Sequence, residues 1–274
     1  MPAAKLKSLD NANFRQRVIS SLTIAPLALL AVYFGGLIYL AALVLLMTLA
    51  LREWLRLIDA KMDKQLMIAA YVGLWLTLLA GGCSSSLFGL FVGALATAGL
   101  FFFARQKDTS PAWVAAGIPY MGGSGIALFY LHQTPANGSL VYYLLAVVWG
   151  TDIGAYVAGR IIGGPKLAPK LSPNKTWAGL LGGMALAVVL GYIAAACFGA
   201  HITAIGAGLA VVLAVLAQCG DLFESNFKRR SGAKESGKLI PGHGGVLDRI
   251  DGLVFAAIAL ALFQTLIGAD MQWW

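Results

Sequence analysis

Nine apolar runs divide the chain, and every cation in it falls in alternate gaps between them. The runs lie near residues 18–34, 37–51, 66–81, 87–104, 112–131, 140–158, 177–198, 204–222 and 252–268, separated by "GG", charged clusters or polar turns such as "GGCSSS" and "HQTPANGS". At 1.5 Å per residue, a helix needs about 20 apolar residues to cross roughly 30 Å of hydrocarbon, or somewhat fewer with snorkelling ends. Runs of this kind predict an all-α, polytopic integral membrane protein of about nine transmembrane helices. A charged fraction of 12%, about half that of a soluble domain, agrees with the bilayer as solvent.

Lys and Arg near span ends are retained on the cytoplasmic side. Lys5, Lys7, Arg15 and Arg17 precede the first run; Arg52, Arg56, Lys61 and Lys64 follow the second; Arg105 and Lys107 follow the fourth. Arg160, Lys166, Lys170 and Lys175 follow the sixth, and Lys228, Arg229, Arg230, Lys234, Lys238 and Arg249 follow the eighth. Nine spans with a cytoplasmic N-terminus therefore put all 20 Lys and Arg inside. The same topology accounts for the net charge of +8 without a nucleic-acid partner. A second apolar run follows the first at once and no small-residue cleavage site ends it, so the first run reads as an uncleaved helix rather than a secretory signal. Residues 5–17 read either as a short interfacial helix on anionic headgroups or as a solvated basic tail.

No hydrophilic stretch is long enough for a soluble domain, so residues 1–274 read as one membrane domain. Within it, residues 1–145 form an N-terminal helical bundle portion, and residues 146–274 a catalytic portion with cytoplasmic loops at 159–176 and 226–250. Cys83, Cys197 and Cys219 have no paired spacing and read as small buried hydrophobes. His132 and His201 lie in short external loops with no nearby ligand set.

Two stretches of the second half carry chemistry. In "WGTDIGAYVAGRIIGGPKLAPKLSPNKTWAG", a helix running to the end of the sixth span puts Asp152, Tyr156 and Gly159 on one face with Arg160 beside it. A carboxylate there is expensive in lipid and faces a partner or a wet cavity. The next residues are too rich in Gly and Pro to be helical. They deliver Lys166, Lys170, Ser172, Lys175 and Thr176 to a surface loop whose prolines lower the entropy cost of holding lysines around a polyphosphate.

In "QCGDLFESNFKRRSGAKESGKLIPGHGGVLDRID", Asp221, Glu224, Ser225 and Lys228 share one helical face. Asp248 and Asp251 share another if the last helix starts near Val246. Crowded carboxylates repel unless something positive holds them. Hard oxygen donors of this kind suit Mg²⁺, which takes one or two carboxylates plus substrate phosphates. Gly242, Gly244 and Gly245 let backbone amides approach an anion at a helix start. His243 between them reads first as a phosphate donor and last as a metal ligand.

The stretch "SNFKRRSGAKESGKLIPGHGGVLDRID", Ser225 to Asp251, resembles the signature of the phosphatidate cytidylyltransferases, or CDP-diacylglycerol synthases: S-x-x-K-R, then K-[D/E], then H-G-G-x-x-D-R-x-D. "GDLFES" and "DIGAYVAGR…GGPKLAPKLSPNKTWAG" extend the likeness over about residues 149 to 251. Glu235 stands where Asp is common, and Ala178 where Glu is expected. The resemblance implies transfer of the cytidylyl group of CTP to phosphatidic acid, giving CDP-diacylglycerol and pyrophosphate at the inner face of a bacterial-type plasma membrane. It also implies Mg²⁺ as cofactor. The catalytic residues expected are Asp221, Asp248, Lys228 and Arg249, with Asp221, Asp248, Asp251 and Glu224 around the metal. Lys175, Ser172, Thr176, Arg229, His243, Gly244, Gly245, Asp152, Tyr156 and Ser225 are expected to bind substrate. Partners are CTP, phosphatidic acid and the bilayer, with a homodimer left open. Two other readings remain: a CTP-dependent polyprenol or phytol kinase, which would release CDP, and an ion-coupled transporter, which calls for charges and broken helices near the midplane.

Overall fold

The computed structural model describes residues 16, 20, 22–134, 138–200, 203–240, 242 and 244–267. His243, His201 and the basic residues ahead of position 16 lie outside them. Among the described residues the helices are α1 (Leu22–Phe34), α2 (Gly36–Ile58), α3 (Lys64–Cys83), α4 (Ser86–Ala104), α5 (Pro111–Gln133), α6 (Ser139–Ile161), α7 (Trp177–Cys197), α8 (Ala204–Arg230) and α9 (Leu247–Ile267). Eight of them, α2 to α9, are long and apolar enough to span a bilayer. Between α6 and α7 lies the only departure from helix among named elements, an antiparallel hairpin of β1 (Lys166–Ala168) and β2 (Ser172–Thr176).

The breaks are where the local chemistry demands them. Gly35 and Gly36 both take positive φ, 60° and 51°, and so turn the chain between two apolar helices with no polar linker. Side chains of Asp63, Ser85, Thr176 and Thr203 each accept amides of the first turn of α3, α4, α7 and α8, satisfying donors that a helix start leaves bare. The Leu66 amide, then Lys107, hold the Asp63 carboxyl below its ordinary range.

In α5, 72% of the most apolar window is buried, against 22% in α4 and in α7, so α5 runs through the middle and the other two flank it. Trp54 of α2 stacks on Phe227 of α8 with ring centroids 3.9 Å apart and donates its indole N–H to the Trp113 carbonyl of α5 at 2.9 Å. That cluster ties the two halves of the chain into one core. Helices α6 and α7 meet at their backbones: a methyl group on Gly154 or on Gly182 would overlap the facing helix.

The bundle has two distinct ends. At one, Lys107 pairs with Asp63, the Arg230 guanidinium covers Trp113, and Lys175 pairs with Asp221. The loops carrying the cations are thus gathered together. At the other, His132 meets the Val32 carbonyl, Tyr142 donates to the Leu29 carbonyl and Tyr143 to that of Gly206.

Helix ends differ from the apolar runs in a consistent direction. Helix α2 continues to Ile58 and α8 to Arg230, while α9 starts at Leu247. Basic residues at a helix C-terminus complement its dipole, so a charge that ends an apolar run does not end the helix. The cysteines are also corrected: Cys83, Cys197 and Cys219 are exposed rather than buried.

Candidate functional site

Helices α8 and α9 touch backbone to backbone near the cationic end. A methyl on Gly220 would overlap the Asp251 carbonyl, and one on Gly252 would press to 3.0 Å on that of Ala217. This close approach, which only glycine permits, sets Asp221 beside Asp251. Asp251 lies within electrostatic reach of Asp221, Glu224 and Asp152, the last delivered by α6. The sign of that cluster is answered from the hairpin. Lys175 Nζ lies 2.6 Å from Asp221 Oδ2 and 3.4 Å from the Gln218 carbonyl, while the Ser225 hydroxyl donates to Asp221 Oδ1 at 3.3 Å. Arg249, exposed at the start of α9, adds its charge near Asp152.

A second group stands one turn further along α8. Lys228 Nζ lies 2.6 Å from Glu224 Oε2 and 2.5 Å from Asp248 Oδ1. Glu224 is fully buried and Lys228 is the cation that meets it. Asp248 is held from the other side. Its Oδ2 accepts the Ser236 amide at 2.9 Å, the Ser236 hydroxyl at 2.9 Å and the Gly245 amide at 2.8 Å.

The glycine-rich turn therefore has a partner inside the protein. Gly242 and Gly244 take φ of 76° and 86°, as a turn of this kind requires, but the anion met by the Gly245 amide is the Asp248 carboxylate. Gly245 is glycine for lack of space, because a methyl there would overlap the Ser236 hydroxyl and the Glu53 carboxylate.

Glu53 is the residue that sequence reasoning missed. It sits on α2, in the half assigned no chemistry, and is 6% exposed. Its Oε2 accepts the Ser236 hydroxyl and the Leu247 amide, each at 2.9 Å. The available signal was a carboxylate at a span end in "LREWLRL", which the flanking arginines disguise as an ordinary ion pair.

The remaining expected residues are more dispersed. Thr176 is buried and caps α7 through the Gly179 amide at 3.0 Å. Tyr156 is exposed one turn beyond Asp152, its hydroxyl accepting from Arg160 at 2.8 Å. Arg229 is exposed and reaches the Ala233 carbonyl at 3.3 Å. Ser172 is half-buried on β2.

An apolar groove of about 450 Å³ opens beside the acids, lined by Trp54, Tyr120, Phe223, Phe255, Ile258 and Leu262. The Tyr120 hydroxyl is buried without a hydrogen-bond partner and within electrostatic reach of Asp251 and Glu224. A larger groove of about 680 Å³ between α3, α4 and α5 has no charged residue in its lining and lies away from this chemistry.

Among the described residues no three His, Cys, Asp or Glu side chains close into a complete metal-ligand set. Mg²⁺ does not require one, since it keeps waters and takes substrate oxygens. Asp251 and the acids within its electrostatic reach, Asp221, Glu224 and Asp152, are hard-oxygen groups of the chemistry such an ion takes.

Residues 15–267 match the family model described as the cytidylyltransferase family. The chain is 39% identical over 259 residues to the phosphatidate cytidylyltransferase of Brucella suis biovar 1 (strain 1330), covering 92% of this chain and 93% of that one. It is 42% identical over 155 residues to the phosphatidate cytidylyltransferase of Haemophilus influenzae, covering 53% of each. Over 154 residues it is 40% identical to that of Staphylococcus saprophyticus, covering 55% of this chain and 58% of the relative.

Proposed function

The chain belongs to the cytidylyltransferase family, and from that premise we propose that it transfers the cytidylyl group of CTP to phosphatidic acid, giving CDP-diacylglycerol and pyrophosphate. The observation that carries this reading is the meeting of a carboxylate and lysine cluster with an apolar groove at one end of the bundle. A nucleotide polyphosphate suits the first and an acyl chain the second, so a lipid phosphate lying between them would be delivered to the nucleotide.

The reacting groups need little help from a base. A phosphomonoester has its second pKa near 6, so the lipid phosphate is largely dianionic near neutral pH and can attack the α-phosphorus directly. The difficulty is bringing two anions together, and positioned cations answer it. Lys175 and Lys228, held by Asp221, Glu224 and Asp248, are the cations at the cluster, with Arg249 beside Asp152. When phosphates arrive these side chains exchange carboxylate for phosphate oxygen. Asp221, Asp248, Asp251 and Glu224 are then the groups available to Mg²⁺, whose chemistry is to neutralise charge on the phosphates. The groove past Tyr120 and Phe223 holds the lipid chain and keeps water from the attacking side, opposite the departing pyrophosphate.

The test follows the phosphorus atoms of CTP in detergent with phosphatidic acid and Mg²⁺. Pyrophosphate and a CDP-lipid are expected, with inversion at a chirally labelled α-phosphorus, because no Cys or His stands in a nucleophile pair among the described residues. Release of CDP with a phosphorylated lipid would replace the proposal with a kinase. Net retention would require a nucleotidyl-enzyme.

A further inference from the structure

We infer that Glu53 is a positioning residue for the site, acting from the opposite half of the chain through Ser236 and the first turn of α9. A single carboxylate oxygen, Oε2, accepts both the Ser236 hydroxyl and the Leu247 amide, so the loop at 231–246 and the start of α9 are fastened to α2 at one point. The next residue is Asp248. It takes the Ser236 hydroxyl and amide on Oδ2, gives its own N–H to the Ser236 hydroxyl at 3.3 Å, and holds Lys228 on Oδ1. The path from Glu53 to the lysine is therefore continuous: Glu53, Ser236, Asp248, Lys228.

The surroundings are shaped to this carboxylate. Methyl groups on Gly237 and Gly245 would both overlap it, so the loop closes around Glu53 on two sides. Two carboxylates share one serine hydroxyl, which has a single proton to donate. The arrangement thus depends on where Oε2 sits, since that atom is the common acceptor. A glutamine at 53 can place its carbonyl oxygen there and keep both hydrogen bonds. An aspartate is one methylene too short to reach them.

The inference rests on the cytidylyltransferase reading for its activity arm only. Glu53→Ala and Glu53→Asp are expected to lower kcat by about 10- to 100-fold, the scale of a small misplacement of a reacting group, with little change in KM for CTP because Lys175 is held separately by the hairpin. Glu53→Gln is expected to stay close to wild type. The second arm is limited trypsin cleavage of the detergent-solubilised protein, comparing the exposed Lys234 and Lys238 of this loop with the exposed Lys166 and Lys170 of the hairpin. Faster cleavage confined to Lys234 and Lys238 in the Ala and Asp variants, and absent in the Gln variant, is the expected pattern. Ser236→Ala supplies the same contrast if Glu53→Ala does not fold. Wild-type cleavage and turnover in Glu53→Ala would overturn the inference, as would faster cleavage at both loops alike in all the variants, which marks a general packing role. If the wild-type protein forms no CDP-lipid, the enzymatic reading fails while the cleavage contrast still decides whether Glu53 fastens the loop.

Discussion

Two aspartates that look equivalent on paper have different surroundings. Asp221 is 34% exposed and is met by Lys175 and Ser225, whereas Asp248 is 7% exposed, with both oxygens engaged by Lys228, Ser236 and Gly245. Asn substitution should separate them. Each variant is expected to lose turnover by roughly two orders of magnitude or more, as when one electrostatic group is removed from a transition state. Asp221→Asn should melt near the wild type. Asp248→Asn, which weakens charge-assisted bonds in a buried setting, should lose about 1–3 kcal/mol of stability. Thermal unfolding beside a CDP-lipid assay reads both, and near-normal Mg²⁺-dependent turnover in either variant would remove that residue from the site. Asp221, Glu224, Ser225 and Lys228 were legible in the sequence because helical spacing alone puts them on one face. Asp248 was visible as an acid but not as a braced one, since its partner Ser236 lies in irregular backbone. Glu53 was invisible for a plainer reason: its partners are 183 and 194 positions away.

At the level of elements, run length located the helices well and their ends poorly. Apolar runs report where hydrocarbon is, while a helix starts where a capping group satisfies its first amides and stops where glycine turns the chain, as Thr176 starts α7 and Gly35 stops α1. The hairpin of β1 and β2 was foreseen only as a non-helical loop, because its pairing depends on register rather than composition. Packing between helices was also hidden, although the glycines that permit it were in view. The α6–α7 contact gives a direct check. Gly182→Leu forces a side chain into the facing turn that holds Ala158 and Gly154, and overpacking of this kind costs about 1–3 kcal/mol. A lower melting temperature is expected, together with weaker CTP binding, because α6 carries Asp152 and α7 begins at Lys175's strand. An unchanged melting curve would mean that the two helices are not held this closely.

Over the whole molecule, the alternation of cations with apolar runs corresponds to a bundle with one charged end and one neutral end. Cys83 and Cys197 close α3 and α7 at the neutral end, and both are exposed. They are natural reporters of orientation. If the charged end faces the cytoplasm, a membrane-impermeant maleimide added outside intact spheroplasts should label both, and labelling only after lysis would invert the topology. The sequence divides into a hydrophobic first half and a second half rich in charged motifs, and the packing ties the two together. Glu53 crosses that division, and so does the ring stack of Trp54 on Phe227.

The span of the Glu53 contacts also sets an order of events during biosynthesis. Helix α2 enters the membrane while Leu247, its hydrogen-bond donor 194 residues later, has not yet been made. At about 5–20 residues per second of translation, the carboxylate waits roughly 10 to 40 seconds for its partner. Through most of that interval neither donor to the carboxylate exists: the Ser236 hydroxyl comes 183 residues after it and the Leu247 amide 194. A ribosome that stalls before α9 therefore leaves a marked product, in which Glu53 lacks the Leu247 amide and Lys228 lacks Asp248.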